Sequence, residues 1–257
     1  MKISVITVCR NSAATIADTF SSVEAQTHPD IEHIVVDGAS SDDTLAVIKD
    51  HCGRVACLVS EPDHGIYDGM NKGLRLSSGE VIGFLNADDV YADTNVLARV
   101  AKTFEDDPCV EACFGDLLYV TQDNQSVIRY WKSQPFASGS FSRGGSPAHP
   151  TFYIRRSALN RLGGFDLSYR LASDTEFMMR YLEKGGVRAA YIPHVQVRMR
   201  VGGATNRSLR NIFRQNLEIF RALKKNGVPY SLVSFMLHKL ASRFWQRWVG
   251  MRTKASA

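Results

Sequence analysis

Residues 3–11 read ISVITVCRN, a short apolar run rich in β-branched side chains that ends in Arg10 and Asn11. A run of this kind predicts a buried strand, and it is too short to span a membrane or to form a signal sequence. Similar runs, separated by patterns of helical period, recur at residues 31–37, 55–60, 80–86 and 112–120. Strands that alternate with helices indicate an α/β fold with a mixed, mostly parallel sheet flanked by helices.

Polar residues directly follow four of these runs. The four groups are Arg10-Asn11, Asp37-Gly38, Glu61-Pro62-Asp63 and Asp88-Asp89. Because the carboxyl ends of parallel strands lie at one edge of a sheet, we expect a ligand site there. No glycine precedes Gly38, so the loop after the first strand is neither a P-loop nor a dinucleotide fingerprint, since both need glycines at this point.

The composition predicts one substantial core and an uneven charge. The 257 residues are 44% hydrophobic and 22% charged, which excludes a disordered or fibrous chain. The net charge of +5 divides into +12 from Arg198 onward, with 13 basic residues and one acidic residue, and −7 before it. Such a basic tail favours an anionic partner. Five cysteines without a CxxC pair predict neither a disulfide framework nor a zinc site, and favour a cytoplasmic protein.

Two strand ends carry carboxylates suited to binding a metal or a nucleotide. The segment NADD (86–89) places hard oxygen ligands where a divalent cation could keep positions open for phosphate oxygens. The alternative is that Asp88 or Asp89 caps the next helix. In VDGASSDDT (36–44), Asp37 lies too early to cap a helix and could accept hydrogen bonds from a base or a ribose.

Six segments, in this order and with these gaps, resemble glycosyltransferase family 2. They are ISVITVCRN, VDGASSDDT, EPDHGIYDGMNKG, GEVIGFLNADD, AHPTFYIRRS and SDTEFMMR. The match covers residues 2–205. The resemblance implies an inverting enzyme with the GT-A fold of nucleotide-diphospho-sugar transferases.

The resemblance also assigns a donor site. The residues that would line the nucleotide pocket or flank its base and ribose are Thr7, Val8, Arg10, Asn11, Asp37, Asp63, Asp68, Asn71 and Lys72, with Asp37 at a uracil-type base. Asn86 stands where the family's DxD motif has its first Asp, and an amide can bond a ribose hydroxyl but is a poorer metal ligand. Asp88, together with Asp89, would therefore hold Mn²⁺ or Mg²⁺ on the donor diphosphate.

Asp174 is similar to the catalytic base of the family. Inversion needs one carboxylate on the acceptor side to deprotonate the incoming hydroxyl. Glu176 is the competing acid on the acceptor or donor-sugar side, and Asp174 could instead be a helix N-terminal acid stabilised by the dipole. His149 precedes Pro150 where the family often has a histidine facing the donor sugar or phosphate; the alternative is a structural histidine.

The chain is predicted to divide into a catalytic domain, residues 1–205, and a basic tail of amphipathic helices, residues 206–257. In the domain, residues 1–120 would bind the nucleotide and residues 121–205 would form the acceptor side. Apolar residues at 3- and 4-residue spacings, beside a stripe of Lys239, Arg243 and Arg247, suit a helix on an anionic membrane surface. Alternatively, the apolar face packs on the catalytic domain or on a second subunit, as a homodimer would require. No nucleic-acid module is recognised, and the acidic body would repel phosphates.

The sequence thus predicts an inverting, metal-dependent glycosyltransferase of polysaccharide biosynthesis. It would move a sugar from a UDP-sugar to a hydroxyl of a glycan or lipid-linked oligosaccharide, at the inner face of the cell membrane. The alternative is a catalytically inactive nucleotide-sugar-binding or scaffolding protein of a glycan assembly complex.

Overall fold

One mixed sheet forms the centre of the computed structural model, which describes residues 1–51, 53, 55–202, 209–238 and 241. The strands of the described residues are β1 (Ile3–Cys9), β2 (Ile31–Asp37), β3 (Val55–Ser60), β4 (Val81–Phe84), β5 (Asp89–Tyr91), β6 (Ala112–Val120), β7 (Val127–Trp131), β8 (Tyr153–Arg155) and β9 (Ala189–Arg200). Their order is β3-β2-β1-β4-β8-β6-β9-β5, with β7 paired to β6. The first four in this order are parallel, and the other half mixes both directions.

Helices cover both faces of this sheet. Their bounds are α1 (Ile16–Glu24), α2 (Thr44–Asp50), α3 (Ile66–Leu76), α4 (Val96–Asp106), α5 (Arg156–Leu162), α6 (Ser173–Met179) and α7 (Leu209–Lys225). A π-helical turn, Arg180–Lys184, continues α6. The predicted α/β class is confirmed. The predicted strands at 3–9, 31–37, 55–60 and 112–120 match the observed bounds, whereas the short strands β5, β7 and β8 were not predicted.

Burial on both faces explains the continuous apolar runs. All seven residues of β1 are buried, as expected for a central parallel strand. Ile6 and Val8 pack in the cluster that includes residues of α3, α6 and α7, whereas Ile3 and Val5 pack in the cluster that includes α4. β3 lies at the end of the sheet, and its residues alternate between half-buried and exposed.

The described part of the predicted tail packs on the predicted catalytic domain. Ile219, Leu223, Val228 and Phe235 are buried in the same cluster as β1 and α6. For these residues, the alternative that the apolar face covers the catalytic domain is the one observed. Residues 239–240 and 242–257, which include the predicted stripe of Lys239, Arg243 and Arg247, lie outside the described residues. Within the described residues, no helix is long and apolar enough to span a membrane.

Glu218 of α7 joins the tail to the start of α6. Its carboxylate accepts hydrogen bonds from the backbone N–H groups of Arg170, Leu171 and Ala172, at 3.1, 2.8 and 2.9 Å. Ala172 is the N-cap residue of α6. The tail thus supports the turn that leads into the helix carrying Asp174.

Replacing Glu218 with Gln should lower the free energy of unfolding by about 2 kcal/mol, because hydrogen bonds to a charged acceptor contribute about 1.5–3 kcal/mol and a buried donor left unpaired is costly. Urea denaturation would measure the loss. Lys224→Gln, an exposed change on the same helix, is the control and should stay within about 0.5 kcal/mol of the wild type. Equal stability of the two variants would contradict a supporting role for Glu218.

Candidate functional site

The carboxyl ends of β1, β2 and β3 lie side by side, as the sequence predicted. The strand register pairs Cys9 with Asp37 and Asp37 with Ser60. The polar residues that follow these strands therefore meet at one edge of the sheet.

Asp37 is fully buried at this edge and is bonded within the protein. Its Oδ2 accepts hydrogen bonds from the Ser40 backbone N–H (3.0 Å) and the Ser60 hydroxyl (2.7 Å), and its Oδ1 accepts one from the Ser40 hydroxyl. Burial raises the pKa of Asp37, but these hydrogen bonds outweigh it and hold the pKa below its ordinary value. Asp37 thus closes the loop after β2, and its contact with a base stays a prediction.

Three more of the predicted nucleotide residues lie in β1 or in the loop that follows it. Asn11 has a φ of 52°, and its Oδ1 accepts a hydrogen bond from the Ser41 N–H at 2.8 Å, which ties this loop to the one after β2. Arg10 is exposed at the edge. The fully buried Thr7 bonds the His33 ring at 2.9 Å, so its side chain serves the core rather than the surface of the edge.

Gly38 brings the ends of β1, β2 and β3 together. A Cβ at this position would lie 2.3 Å from Oδ2 of Asp63 and 3.6 Å from the Cβ of Arg10. Only a residue without a side chain leaves the Asp63 carboxylate where it is. At Gly69, on α3, a Cβ would meet the Val8 side chain at 3.3 Å, so Val8 packs under the same edge.

Replacing Gly38 with Ala should weaken the UDP binding that the sequence predicts by about tenfold, equivalent to about 1.4 kcal/mol. The added methyl group would displace the Asp63 carboxylate, which is the end of a short side chain, so we expect little change in stability. Calorimetric titration of UDP would measure the effect. If Gly38→Ala acts by displacing Asp63, it should weaken binding little further in a chain that already carries Asp63→Ala. Fully additive losses of affinity in this double-mutant cycle would rule out an effect through Asp63.

The predicted residues on α3 are held in internal contacts. The Asn71 side chain donates to the Phe165 carbonyl (2.9 Å) and accepts from the Phe165 N–H (2.8 Å). Lys72 bonds the Pro62 carbonyl (2.7 Å) and pairs with Glu61 (2.8 Å). Asp68 accepts a bond from the His64 N–H at 3.1 Å. Asn71 therefore joins α3 to the loop before α6, whereas Lys72 and Asp68 hold the loop after β3. The contacts of these residues with a base or a ribose stay predictions.

Asn86, Asp88 and Asp89 follow β4 and form the candidate metal site. The Asn86 amide donates to Oδ2 of Asp89 at 3.0 Å, while Oδ1 of Asp89 and Oδ1 of Asn86 are buried without a hydrogen-bond partner among the described residues. Asp88 is half-buried, whereas Asp89 is only 1% exposed. Burial raises the pKa of both carboxyls, and the charge of Asp88 raises that of Asp89 further.

This donor set fits a cation that also binds a ligand. The orphaned oxygens could bind a cation, and a bound positive charge would lower the raised pKa values of both carboxyls. The described residues hold no group of three or more His, Cys, Asp or Glu side chains that could bind a metal alone. Donor phosphate oxygens would have to supply further ligands, as Mg²⁺ and Mn²⁺ sites at nucleotides commonly require.

Asp174 lines a cavity of about 840 Å³ between the 132–150 segment, α6 and α7. Its Oδ1 accepts hydrogen bonds from the Tyr67 hydroxyl (3.2 Å) and the Thr175 N–H (2.8 Å). Burial, followed by the charge of Asp174, raises the pKa of Tyr67 well above its ordinary value, so this hydroxyl stays a donor. Asp174 is thus held by one oxygen at the wall of the cavity.

His149 lines the same cavity and is packed between aromatic rings. It stacks on Phe84 at 5.3 Å and meets the edge of Phe165 at 5.6 Å. Burial lowers its pKa despite the charge of Asp174, so the imidazole is neutral at pH 7. Its Nε2 has no hydrogen-bond partner within the described residues.

Glu176 is directed away from the cavity. It is fully buried and pairs with Arg180 (3.3 Å) and Lys225 (3.0 Å), which joins α6 to the end of α7. The structure therefore separates the two acids that compete for the role of base: Asp174 lines the cavity, and Glu176 holds the tail.

Sequence reasoning missed Tyr67 as a partner of Asp174. Tyr67 belongs to the quoted segment EPDHGIYDGMNKG, but its partner lies 107 residues further along the chain. No local pattern signals a pair so distant in sequence. The one signal in the sequence is that Tyr67 lies inside a segment assigned to nucleotide binding.

Comparisons with known proteins agree with this architecture. Residues 4–163 match the family model described as Glycosyl transferase family 2. An uncharacterized glycosyltransferase of Mycobacterium tuberculosis is 32% identical over 180 residues, which cover 69% of this chain and 68% of the relative. Two structures resemble the fold. One is TarS from S. aureus in complex with UDP, with a TM-score of 0.68, 21% identity and coverage of 90% of this chain and 67% of that one.

The other is the mannosyltransferase PcManGT from Pyrobaculum calidifontis in complex with GDP-Man and Mn²⁺. Its TM-score is 0.65 at 22% identity, and the match covers 100% of this chain and 75% of that one. The predicted GT-A fold is confirmed by these neighbours. The chain belongs to glycosyltransferase family 2 and is a glycosyltransferase.

Proposed function

We propose that this glycosyltransferase is inverting and metal-dependent, and that it moves a sugar from a UDP-sugar to a hydroxyl of a glycan or lipid-linked oligosaccharide in polysaccharide biosynthesis. The observation that carries the proposal is the position of Asp174. It is the one carboxylate among the described residues that line the cavity, and Tyr67 and Thr175 hold it from one side.

A single carboxylate in this position suits direct displacement. Asp174 would accept the proton of the acceptor hydroxyl as that oxygen attacks the sugar carbon from the face opposite the diphosphate. No second carboxylate lines the described cavity to form a covalent sugar intermediate, which supports inversion. The neutral His149 on the same wall could bond a hydroxyl or a phosphate oxygen with its buried Nε2.

The donor diphosphate would bind at the end of β4. Asp88, with Asp89 behind it, would hold Mn²⁺ or Mg²⁺, and a bound divalent cation would neutralise charge on the leaving diphosphate. The Mn²⁺ and GDP-Man bound by PcManGT and the UDP bound by TarS support a metal and a nucleotide donor for a protein of this fold. Asn86, whose amide donates to Asp89, would orient that carboxylate.

A thermal-shift panel of UDP-, GDP- and dTDP-sugars, each with and without Mn²⁺, tests the donor. Ligand at 100 times its dissociation constant stabilises the folded state by about 2.7 kcal/mol, so a cognate donor should stand out. We expect the largest shift for a UDP-sugar with Mn²⁺. NMR of the product would then report the anomeric configuration, and retention would contradict the single-carboxylate mechanism.

The tail supports a location at the inner face of the cell membrane. Large apolar side chains are exposed on α7 and on the helical residues 232–238; they are Phe213, Leu217, Leu232, Val233 and Leu237. Arg210 and Arg214 are exposed on α7 as well. Exposed apolar and basic side chains together suit an anionic lipid surface. Sedimentation with phosphatidylglycerol vesicles but not with phosphatidylcholine vesicles is the expected result.

A further inference from the structure

The cavity that holds Asp174 has a marked excess of positive charge. Three cationic side chains line it, Arg129, Lys132 and Arg143, against the single carboxylate of Asp174. The uncharged His149 adds nothing to the balance at neutral pH. A cavity for a neutral glycan needs no such excess, because sugar hydroxyls are met by amides, carboxylates and aromatic faces.

The three cations differ in their surroundings within the described residues. The guanidinium of Arg129 lies over the rings of Tyr119 and Trp131, 4.1 and 5.3 Å from their centroids. Lys132 and Arg143 are exposed, and neither forms an ion pair within the residues that the structure describes. The charge of Lys132 and of Arg143 is therefore available to a ligand.

The cavity lining differs from the set of residues assigned to the donor edge. None of the residues assigned to the nucleotide or to the metal lines this cavity; of the assigned residues, only Asp174 and His149 do. The tail closes another part of the wall with the apolar side chains of Ile212, Ile219 and Phe235. The cavity thus combines a basic region with an apolar wall beside the candidate base.

We infer that the acceptor carries a phosphate group close to the hydroxyl that receives the sugar, and that Lys132 and Arg143 bind this phosphate. This inference rests on the proposed function, because it takes Asp174 as the group that faces the acceptor hydroxyl. A phosphate attached to an apolar chain would satisfy both regions of the cavity, with the chain along the wall formed by α7. A soluble sugar phosphate would satisfy the basic region alone.

Calorimetric titrations of the full chain, saturated with UDP and Mn²⁺ so that the donor's own phosphate sites are filled, test the inference. The probes are decyl phosphate, decyl β-glucoside and glucose 1-phosphate. The variant K132Q/R143Q removes two cavity charges, and K49Q/R75Q removes one exposed Lys and one exposed Arg on α2 and α3, outside the cavity.

Decyl phosphate should bind the wild type at least tenfold more tightly than decyl β-glucoside does. K132Q/R143Q should weaken the binding of decyl phosphate about tenfold, which is the size expected when two exposed charge contacts are lost. The affinity for decyl β-glucoside should stay unchanged. K49Q/R75Q should match the wild type. Equal affinity of the wild type for the two decyl probes, or an equal loss in both double variants, would overturn the inference.

Glucose 1-phosphate identifies the source of the phosphate. Binding as tight as that of decyl phosphate supports a soluble sugar phosphate, and much weaker binding supports a lipid-linked one; both outcomes support phosphate recognition. If UDP and Mn²⁺ fail to bind in the first titration, the proposed function fails. The comparison of decyl phosphate between wild type and K132Q/R143Q, made without nucleotide, then still decides whether the cavity binds phosphate.

Discussion

Replacing Asp174 with Asn is expected to lower the rate of sugar transfer by about three orders of magnitude while the UDP-sugar still binds. General-base catalysis contributes roughly 10²–10⁴-fold, and an amide cannot accept the proton of the acceptor hydroxyl. The amide oxygen can keep the hydrogen bonds from Tyr67 and from the Thr175 N–H, so neither the fold nor the donor edge should change. Release of UDP with an acceptor present would give the rate, and calorimetry would give donor affinity.

Glu176→Gln supplies the contrast on the same helix. Glu176 is fully buried between Arg180 and Lys225, and removing one partner of a buried ion pair costs about 3 kcal/mol. That variant should melt at a lower temperature and transfer sugar normally per folded molecule. If Asp174→Asn retains sugar transfer, Asp174 is not the base. If Glu176→Gln loses transfer and Asp174→Asn only loses stability, Glu176 is the base instead.

The choice between these two acids shows what the sequence could and could not predict. Residues two apart on a helix differ by about 200° around its axis, so Asp174 and Glu176 must face nearly opposite directions. The sequence places both at the start of α6, but it does not say which direction holds the cavity. That depends on the position of α7, whose Lys225 reaches Glu176 from 49 residues away.

The parallel half of the sheet could be predicted for a physical reason. Strands buried on both faces need continuous apolar runs, and ISVITVC and IEHIVVD are such runs. The other half could not. β5 and β8 are three residues long and pair antiparallel with strands distant in sequence, so neither run length nor alternation marks them.

The sequence predicted where the site lies in the sheet better than it predicted the contacts of each side chain. The strand ends do meet, because register places Asp37 beside Cys9 and Ser60. The Asn71 amide, by contrast, forms hydrogen bonds with the backbone of Phe165, which is brought near it only in the folded chain. In α7, Phe213 and Leu217 share the predicted apolar spacing but are exposed, because Ile219 and Leu223 face the core instead.

Replacing Asp88 with Asn should abolish the effect of Mn²⁺ on UDP binding and lower kcat/KM by about 10³-fold. A carboxylate at a divalent cation supplies charge that an amide lacks, and the charge stabilisation attributed to such ions is several kcal/mol, with each 1.36 kcal/mol worth a factor of ten. The half-buried Asp88 is the accessible member of the pair, whereas Asp89 is 1% exposed, accepts the Asn86 amide and belongs to β5.

The measurement is the melting temperature with UDP alone and with UDP plus Mn²⁺, which does not depend on turnover. The wild type should gain stability when Mn²⁺ is added to UDP, and Asp88→Asn should not. Asp93→Asn, which removes an exposed carboxylate five residues further along, should keep the wild-type response. Because Asp89 is buried, Asp89→Asn should change stability more than the response to Mn²⁺. If Asp89→Asn loses the response and Asp88→Asn keeps it, the ion is held by the buried carboxylate, and the accessible one serves the donor in another way.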